Sequence, residues 1–132
     1  MDRPTVKKTM IMDFAENIAS DEFKENSLIL VTSAGVIYGS PVLNEEVESF
    51  KTQKFSELLP KEIALSITSI MASSSYSKYE KEYKINSALP EDDGYILLKD
   101  VILHTSNSTY NFASLAVFFD EIVGVSIGNM NT

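Results

Sequence analysis

The spacing of hydrophobic residues divides the chain into helical and extended segments. Near the N-terminus, Met10, Ile11, Phe14 and Ile18 recur at helical spacing, and the residues between them are mostly polar. Apolar residues three and four positions apart lie on one face of an α-helix. The pattern therefore predicts a short amphipathic helix over residues 9–20.

Two extended segments follow that helix. Residues 27–32 are apolar and rich in β-forming side chains, Gly35 lies in the short turn after them, and a second apolar run begins at Val36. This arrangement predicts a tight hairpin over residues 27–43, with Gly35 free to adopt a positive φ. Pro41 has no backbone N–H, so the second strand is either short or at a sheet edge there.

The middle of the chain, residues 44–93, is more highly charged and is predicted to be a largely helical insertion. Ile63, Ile67, Ile70 and Met71 fit one face of a helix. The β-branched isoleucines are also compatible with a strand, and helix is the favoured interpretation.

The C-terminal part, residues 95–128, is predicted to form β-strands. Three apolar runs carry this prediction, and they are Tyr95–His104, Leu115–Phe119 and Ile122–Gly128. Ser106–Thr109 supplies a polar turn between the first two runs, and Asp120 with Glu121 breaks the second. We treat residues 1–132 as one α+β domain with one hydrophobic core.

Composition limits the classes of protein that this chain can represent. Hydrophobic residues make up 44% and charged residues 23% of the 132 positions, which is typical of a globular domain. No apolar run approaches the roughly 18–20 residues of a transmembrane helix, and we expect no signal peptide. The chain has no cysteine, which excludes disulfides, thiolate catalysis and cysteine-based zinc sites. A cytoplasmic location is the expectation by elimination.

The net charge of −8 bears on possible partners. The chain has eleven basic and nineteen acidic residues. Nucleic-acid binders usually present a basic face, since counterion release from phosphates drives their affinity. RNA binding is therefore possible only through a local basic patch, and binding to anionic membranes is disfavoured. A basic protein partner fits the charge better.

The order of helix, hairpin and C-terminal strands resembles the Sm-like proteins. Ile96–Val101 looks like that family's hydrophobic-x-Leu-x-Asp-Val strand, and Leu115–Ser126 is similar to its paired closing strands, which meet at a sharp polar turn. Leu28–Leu30 running into Gly35 and Gly39 resembles its first hairpin. The resemblance implies an α+β fold in which an N-terminal helix precedes a small, strongly bent antiparallel β-barrel, here with a helical insertion.

Self-association and RNA binding are further implications of the resemblance. Sm-like barrels assemble edge to edge through their fourth and fifth strands, here Leu115–Phe119 and Ile122–Ile127. The chain departs from the family in the long segment 44–93 between the second and third strands. It also has an acidic pair, Asp120 and Glu121, where Sm-like proteins carry the basic element that helps line an RNA pore.

No catalytic or metal-binding constellation is evident. His104 is the only histidine, so a Ser-His-Asp triad or a multi-histidine metal site is hard to assemble, and a half-exposed strand residue is the favoured interpretation. The acidic loop Glu91–Gly94 lacks the ligand spacing of an EF-hand. Gly35–Gly39 lacks the lysine of a phosphate-binding loop. We expect no enzymatic activity, no metal and no cofactor.

A tyrosine and lysine series in the insertion is the most distinctive surface candidate. The tyrosines Tyr76, Tyr79 and Tyr83 are interleaved with Lys78, Lys81 and Lys84. This composition is typical of a strip that stacks bases and contacts phosphates. Glutamates dilute the charge, however, and a helix that packs its tyrosines on the barrel or on a partner is favoured.

The sequence therefore predicts a non-enzymatic protein-binding or assembly module. The residues predicted to bind the partner are Ile63, Ile67, Ile70, Tyr76, Tyr79 and Tyr83. Exposed strand edges would add self-association. One alternative is an Sm-like RNA-binding protein that uses Lys78, Lys81 and Lys84. Another is a small acidic immunity or adaptor protein that binds a basic partner.

Overall fold

The computed structural model describes residues 5–18, 26–83 and 94–129, and within them every side chain except those of Phe55 and Tyr83. In chain order, the elements are α1 (Val6–Ile18), β1 (Ser27–Thr32), β2 (Val36–Pro41), α2 (Asn44–Phe50), a 3₁₀ turn (Phe55–Glu57), α3 (Pro60–Tyr83), β3 (Tyr95–His104), β4 (Thr109–Phe118), a second 3₁₀ turn (Phe119–Glu121) and β5 (Ile122–Gly128). The acidic loop Glu91–Asp93, Lys84 and the last two residues of the helix predicted over 9–20 lie outside the described residues.

The five strands form one antiparallel sheet in the order β4-β3-β2-β1-β5. This confirms the α+β class, with a helix preceding an antiparallel sheet. β4 and β5 occupy the two edges, and no pairing joins them in the described strands. The sheet is therefore open, and the predicted closed barrel is not observed. Alternation of apolar residues predicts strands, but it does not determine whether the two outer strands meet.

Tight backbone packing defines the β1–β2 hairpin. The Thr32 hydroxyl accepts hydrogen bonds from the backbone N–H groups of Ala34 and Gly35, at 3.2 and 3.3 Å. Gly35 has φ +156°, and a Cβ there would collide with the carbonyl oxygen of His104 on β3. Glycine is required at this turn because the neighbouring strand leaves no room for a side chain.

Helix α1 covers one face of the sheet and forms the main core with it. The buried members of this core are Ile11, Ala15, Ile18, Leu28, Leu30, Ile37, Ile96, Leu98, Val101, Val117, Phe119 and Ile122. On β3, the next core-facing residue after Leu98 is Val101, three positions later instead of two. The extra residue is accommodated because Asp100 has a left-handed φ of +53°. This irregularity bends the strand and restores an apolar residue to the core on the far side of the bend.

The insertion between β2 and β3 covers part of the other face. Leu97 alternates with its core-facing neighbours and therefore points away from α1, yet it is buried. On that side Glu46 of α2 pairs with Lys99 at 2.8 Å. Helix α3 then packs against α2 and along β4. Its beginning is tied to the bend in β3 by an ion pair between Lys61 and Asp100.

Helix α3 is continuous for 24 residues, from Pro60 to Tyr83. The helix runs through the three consecutive serines Ser73–Ser75. Serine has only a modestly lower helix propensity than the best helix formers, and packing against neighbouring elements easily outweighs this difference.

Candidate functional site

An apolar groove lies between α3 and the C-terminal end of β4. Its volume is about 650 Å³. The residues that line it are Ile67, Thr68, Met71, Ala72, Ser75, Tyr76, Tyr79, Gly94, Tyr95, Ala116 and Phe118. Seven come from one side of α3, and the rest come from β4 and the start of β3. No charged side chain is among them.

A pair of aromatic rings joins the two walls of this groove. The rings of Tyr76 and Tyr95 meet edge to face, with centroids 5.7 Å apart and an interplanar angle of 71°. This is a favoured geometry for aromatic pairs. Burial raises the pKa of the Tyr95 hydroxyl above 10.0, and the neighbouring Tyr76 raises it further. The Tyr95 hydroxyl is therefore neutral at physiological pH and can donate a hydrogen bond to a ligand.

Helix α3 buries two polar residues and exposes two apolar ones. Ser66 and Ser69 are fully buried, whereas Ile67 is 45% exposed and Met71 is 61% exposed. Across the groove, Phe118 at the end of β4 is 58% exposed. Contiguous exposed apolar side chains are uncommon on a monomeric surface and often mark a binding site.

The two sheet edges are a second unusual feature. Thr109–Phe112, the first half of β4, are all exposed, and Val123 on β5 is 73% exposed. Neither β4 nor β5 contains a charged residue or a proline. Proteins usually protect sheet edges with such residues because an unprotected edge pairs with other chains. Both edge strands lack these protective residues, and α3 packs along part of β4.

A polar concavity lies between α2 and the C-terminal half of α3. Its volume is about 390 Å³, and its lining residues are Lys51, Ser73, Ser74, Ser77, Lys78, Lys81 and Glu82. Lys51 is already paired with Glu48 at 3.0 Å. Lys78 and Lys81, two of the three lysines predicted as the alternative RNA-binding residues, lie on this surface.

The structure divides the residues predicted to bind a partner. Ile67, Tyr76 and Tyr79 line the apolar groove. Ile63 and Ile70 are half-buried, and they are not among the groove residues. The Tyr83 side chain lies outside the described residues.

Several groove residues were not predicted as site residues. Met71 was assigned to the same helical face as Ile67 but was not singled out. Tyr95, Ala116 and Phe118 were seen only as strand residues. No signal in the sequence distinguished Phe118, because Leu115–Phe119 are all apolar and only the observed burial of Val117 and Phe119 shows that Phe118 points away from the core.

His104 occupies the end of β3. Its Nδ1 lies 3.0 Å from the Thr109 hydroxyl, and its ring packs edge to face on Tyr38 with centroids 5.5 Å apart. In residues 5–18, 26–83 and 94–129, no group of three or more His, Asp or Glu side chains is placed to hold a metal ion. None of the described helices is long and apolar enough to cross a membrane.

Comparison of the chain with protein-family models, with curated proteins and with solved structures found no match.

Proposed function

We propose that this protein is a non-enzymatic assembly module whose copies associate edge to edge through β4 and β5. The observation that carries the proposal is the absence of charged residues and proline from both edge strands. Their 10 and 7 residues contain neither charge nor proline, although charged residues make up 23% of the chain. An open sheet with two such edges gains hydrogen bonds when a strand of another copy joins it.

The position of the two edges is compatible with a head-to-tail assembly. Each copy offers one β4 edge and one β5 edge at opposite ends of the sheet. Contact between β4 of one copy and β5 of the next is heterologous, and repeated heterologous contacts generate either a closed ring or a filament. The sequence resemblance to Sm-like proteins supports this proposal, because those barrels assemble through their fourth and fifth strands. A ring built from a bent, Sm-like sheet is the assembly we propose.

Native mass spectrometry of the purified full chain tests this function. The wild-type protein is expected to give one oligomer of defined size. Asn111→Lys on β4 and Ser126→Lys on β5 each place a charge at an exposed edge position and are expected to give monomers. Thr52→Lys, at an exposed position just after α2, is the matched control and is expected to leave the oligomer intact. A wild-type monomer at micromolar concentration would refute the proposal.

RNA binding by such an assembly is the second candidate function. The observation that favours it is the convergence of Lys51, Lys78 and Lys81 on the polar concavity. The net charge of −8 opposes it. RNA bound at this surface would add nuclease-sensitive mass to the oligomer, and its affinity would fall steeply with salt. Double substitution of Lys78 and Lys81 by Gln would then weaken RNA binding without changing the oligomer. If the purified oligomer contains no nucleic acid and does not bind added RNA, this candidate function is wrong.

A further inference from the structure

We propose that the apolar groove between α3 and β4 binds a small organic cation, specifically an alkylammonium group attached to an apolar body. The proposed assembly uses the edges of β4 and β5, and the run of exposed residues on β4, Thr109–Phe112, lies at its N-terminal end. The groove residues of β4, Ala116 and Phe118, belong to its other end. The inference therefore does not depend on edge-to-edge association.

The size of the groove fits a small molecule better than a second copy of the chain. Its volume of about 650 Å³ falls in the range of roughly 300–1,000 Å³ that is typical of small-molecule sites. The exposed apolar side chains are Ile67, Met71 and Phe118. An aromatic side chain buries about 150–250 Å² in full, so three partly exposed side chains offer a few hundred Å². A stable protein interface takes about 800 Å² from each partner.

The lining of the groove selects a cation with an apolar body. Four aromatic residues, Tyr76, Tyr79, Tyr95 and Phe118, are among its eleven lining residues. Aromatic faces attract ammonium groups, and sites that recognise quaternary ammonium ligands are built from such residues. Ile67 and Met71 supply the aliphatic surface for the body of the ligand.

Charge complementarity supports the same choice. The chain carries a net charge of −8, and Asp120 and Glu121 follow Phe118 in an exposed turn. The lysines of the C-terminal half of α3, Lys78 and Lys81, line the separate polar concavity instead. At long range the net charge favours cations over carboxylates, although the Nζ of Lys8 lies beside Gly94, 3.6 Å from where a Cβ on that residue would be. The absence of a carboxylate in the lining spares the site a desolvation cost.

Three probes with the same six-carbon chain test the proposal: hexyltrimethylammonium, 1-hexanol and hexanoate. Each is titrated into the full-length wild-type protein, and binding is followed by amide chemical shifts. We expect the cation to bind at least about fivefold more tightly than the alcohol, which corresponds to the roughly 1 kcal/mol of an exposed cation–π contact. Hexanoate is expected to bind most weakly. Equal affinities for the cation and the alcohol, or no binding by the cation, would overturn the proposal.

Two groove variants and a control locate the binding site. Phe118→Leu keeps the apolar bulk but removes the aromatic face, so it should lower the affinity for the cation at least threefold and leave that for hexanol unchanged. Met71→Lys places a charge in the groove and should abolish binding of the cation. Met12→Lys, at an exposed position of α1, should leave binding unchanged. Equal losses for both probes in Phe118→Leu, or loss of cation binding in Met12→Lys, would contradict the assignment.

The same variants distinguish this site from the assembly surface. Asn111→Lys is expected to retain the wild-type affinity for hexyltrimethylammonium even if it is monomeric. Met71→Lys is expected to retain the wild-type oligomeric mass. If Met71→Lys instead dissociates the oligomer, the groove is an interface between copies and the ligand proposal is wrong.

Discussion

A buried serine in α3 offers a quantitative test of how this helix packs. Ser66 is fully buried, and within the described residues its hydroxyl oxygen has no hydrogen-bond partner. Ser69, one turn further along, is equally buried, but its hydroxyl donates to the carbonyl oxygen of Leu65 at 2.7 Å. The two serines therefore differ mainly in whether the buried hydroxyl is satisfied.

This difference predicts that only one of the two alanine substitutions stabilises the fold. A buried polar group without a partner costs about 1–3 kcal/mol, and alanine has the higher helix propensity by a few tenths of a kcal/mol. Against this gain stands the small void left by the missing oxygen. We expect Ser66→Ala to stabilise the fold by about 1–2 kcal/mol. Ser69→Ala loses a satisfied hydrogen bond and should change stability by less than about 0.5 kcal/mol.

Urea denaturation followed by far-ultraviolet circular dichroism measures both variants. The protein concentration must be the same for each variant, since self-association contributes to apparent stability. Ser66→Ala should raise the urea midpoint with an unchanged dependence of the unfolding free energy on denaturant. If Ser66→Ala destabilises the protein, or Ser69→Ala stabilises it equally, the assigned packing of α3 is wrong.

Three further substitutions test other parts of the fold. Gly35→Ala should lose more than about 2 kcal/mol in thermal melts because the new Cβ meets the His104 carbonyl; Gly124→Ala, whose Cβ would lie 3.4 Å from that of Val31, should lose less than about 1 kcal/mol. Phe119→Ala empties a core position that is 2% exposed, and urea denaturation should show a loss of about 3–5 kcal/mol. Because the pKa of Tyr95 is raised in the folded state, its ionisation leaves stability unaffected below pH 10.0 and lowers stability as the pH rises from 10.0 through the pKa of the folded protein. Tyr95→Phe should remove that part of the loss of stability in melts at alkaline pH.

The strands of this fold were the part most accessible to sequence reasoning. Tyr95–His104 was predicted as a strand with the bounds that the structure shows, because a long apolar run between two polar turns has few alternatives. β4 begins at Thr109, several residues before the predicted Leu115. Polar Thr109 and Asn111 alternate there with Tyr110 and Phe112, so the pattern of a strand was present in the sequence, although all four residues are exposed.

The groove was only partly predictable, for a physical reason. Helices usually bury their apolar residues, so the spacing of Ile63, Ile67, Ile70 and Met71 predicts that all four lie on the buried face of one helix. The structure buries Ser66 and Ser69 instead. Their small side chains allow the close approach of neighbouring elements, which leaves Ile67 and Met71 at the surface. Which side of a helix is buried depends on the elements that pack against it, so the preferences of single residues do not predict it.

The closed barrel could not be decided from the sequence either. The resemblance to Sm-like proteins rests on the order and composition of strands, and both are compatible with an open sheet. Closure depends on the accumulated bend of the strands, to which irregularities such as the left-handed Asp100 contribute. The identity of the two edge strands, β4 and β5, follows from the observed strand order alone.

A mixing experiment by native mass spectrometry tests edge-to-edge assembly most directly. Asn111→Lys keeps its β5 edge and Ser126→Lys keeps its β4 edge, so each variant alone has no compatible pair of edges. An equimolar mixture restores one productive contact and blocks the other two edges. The account predicts monomers for each variant alone and a one-to-one heterodimer for the mixture. A mixture that remains monomeric, or either variant forming the wild-type oligomer alone, would contradict assembly through these two edges.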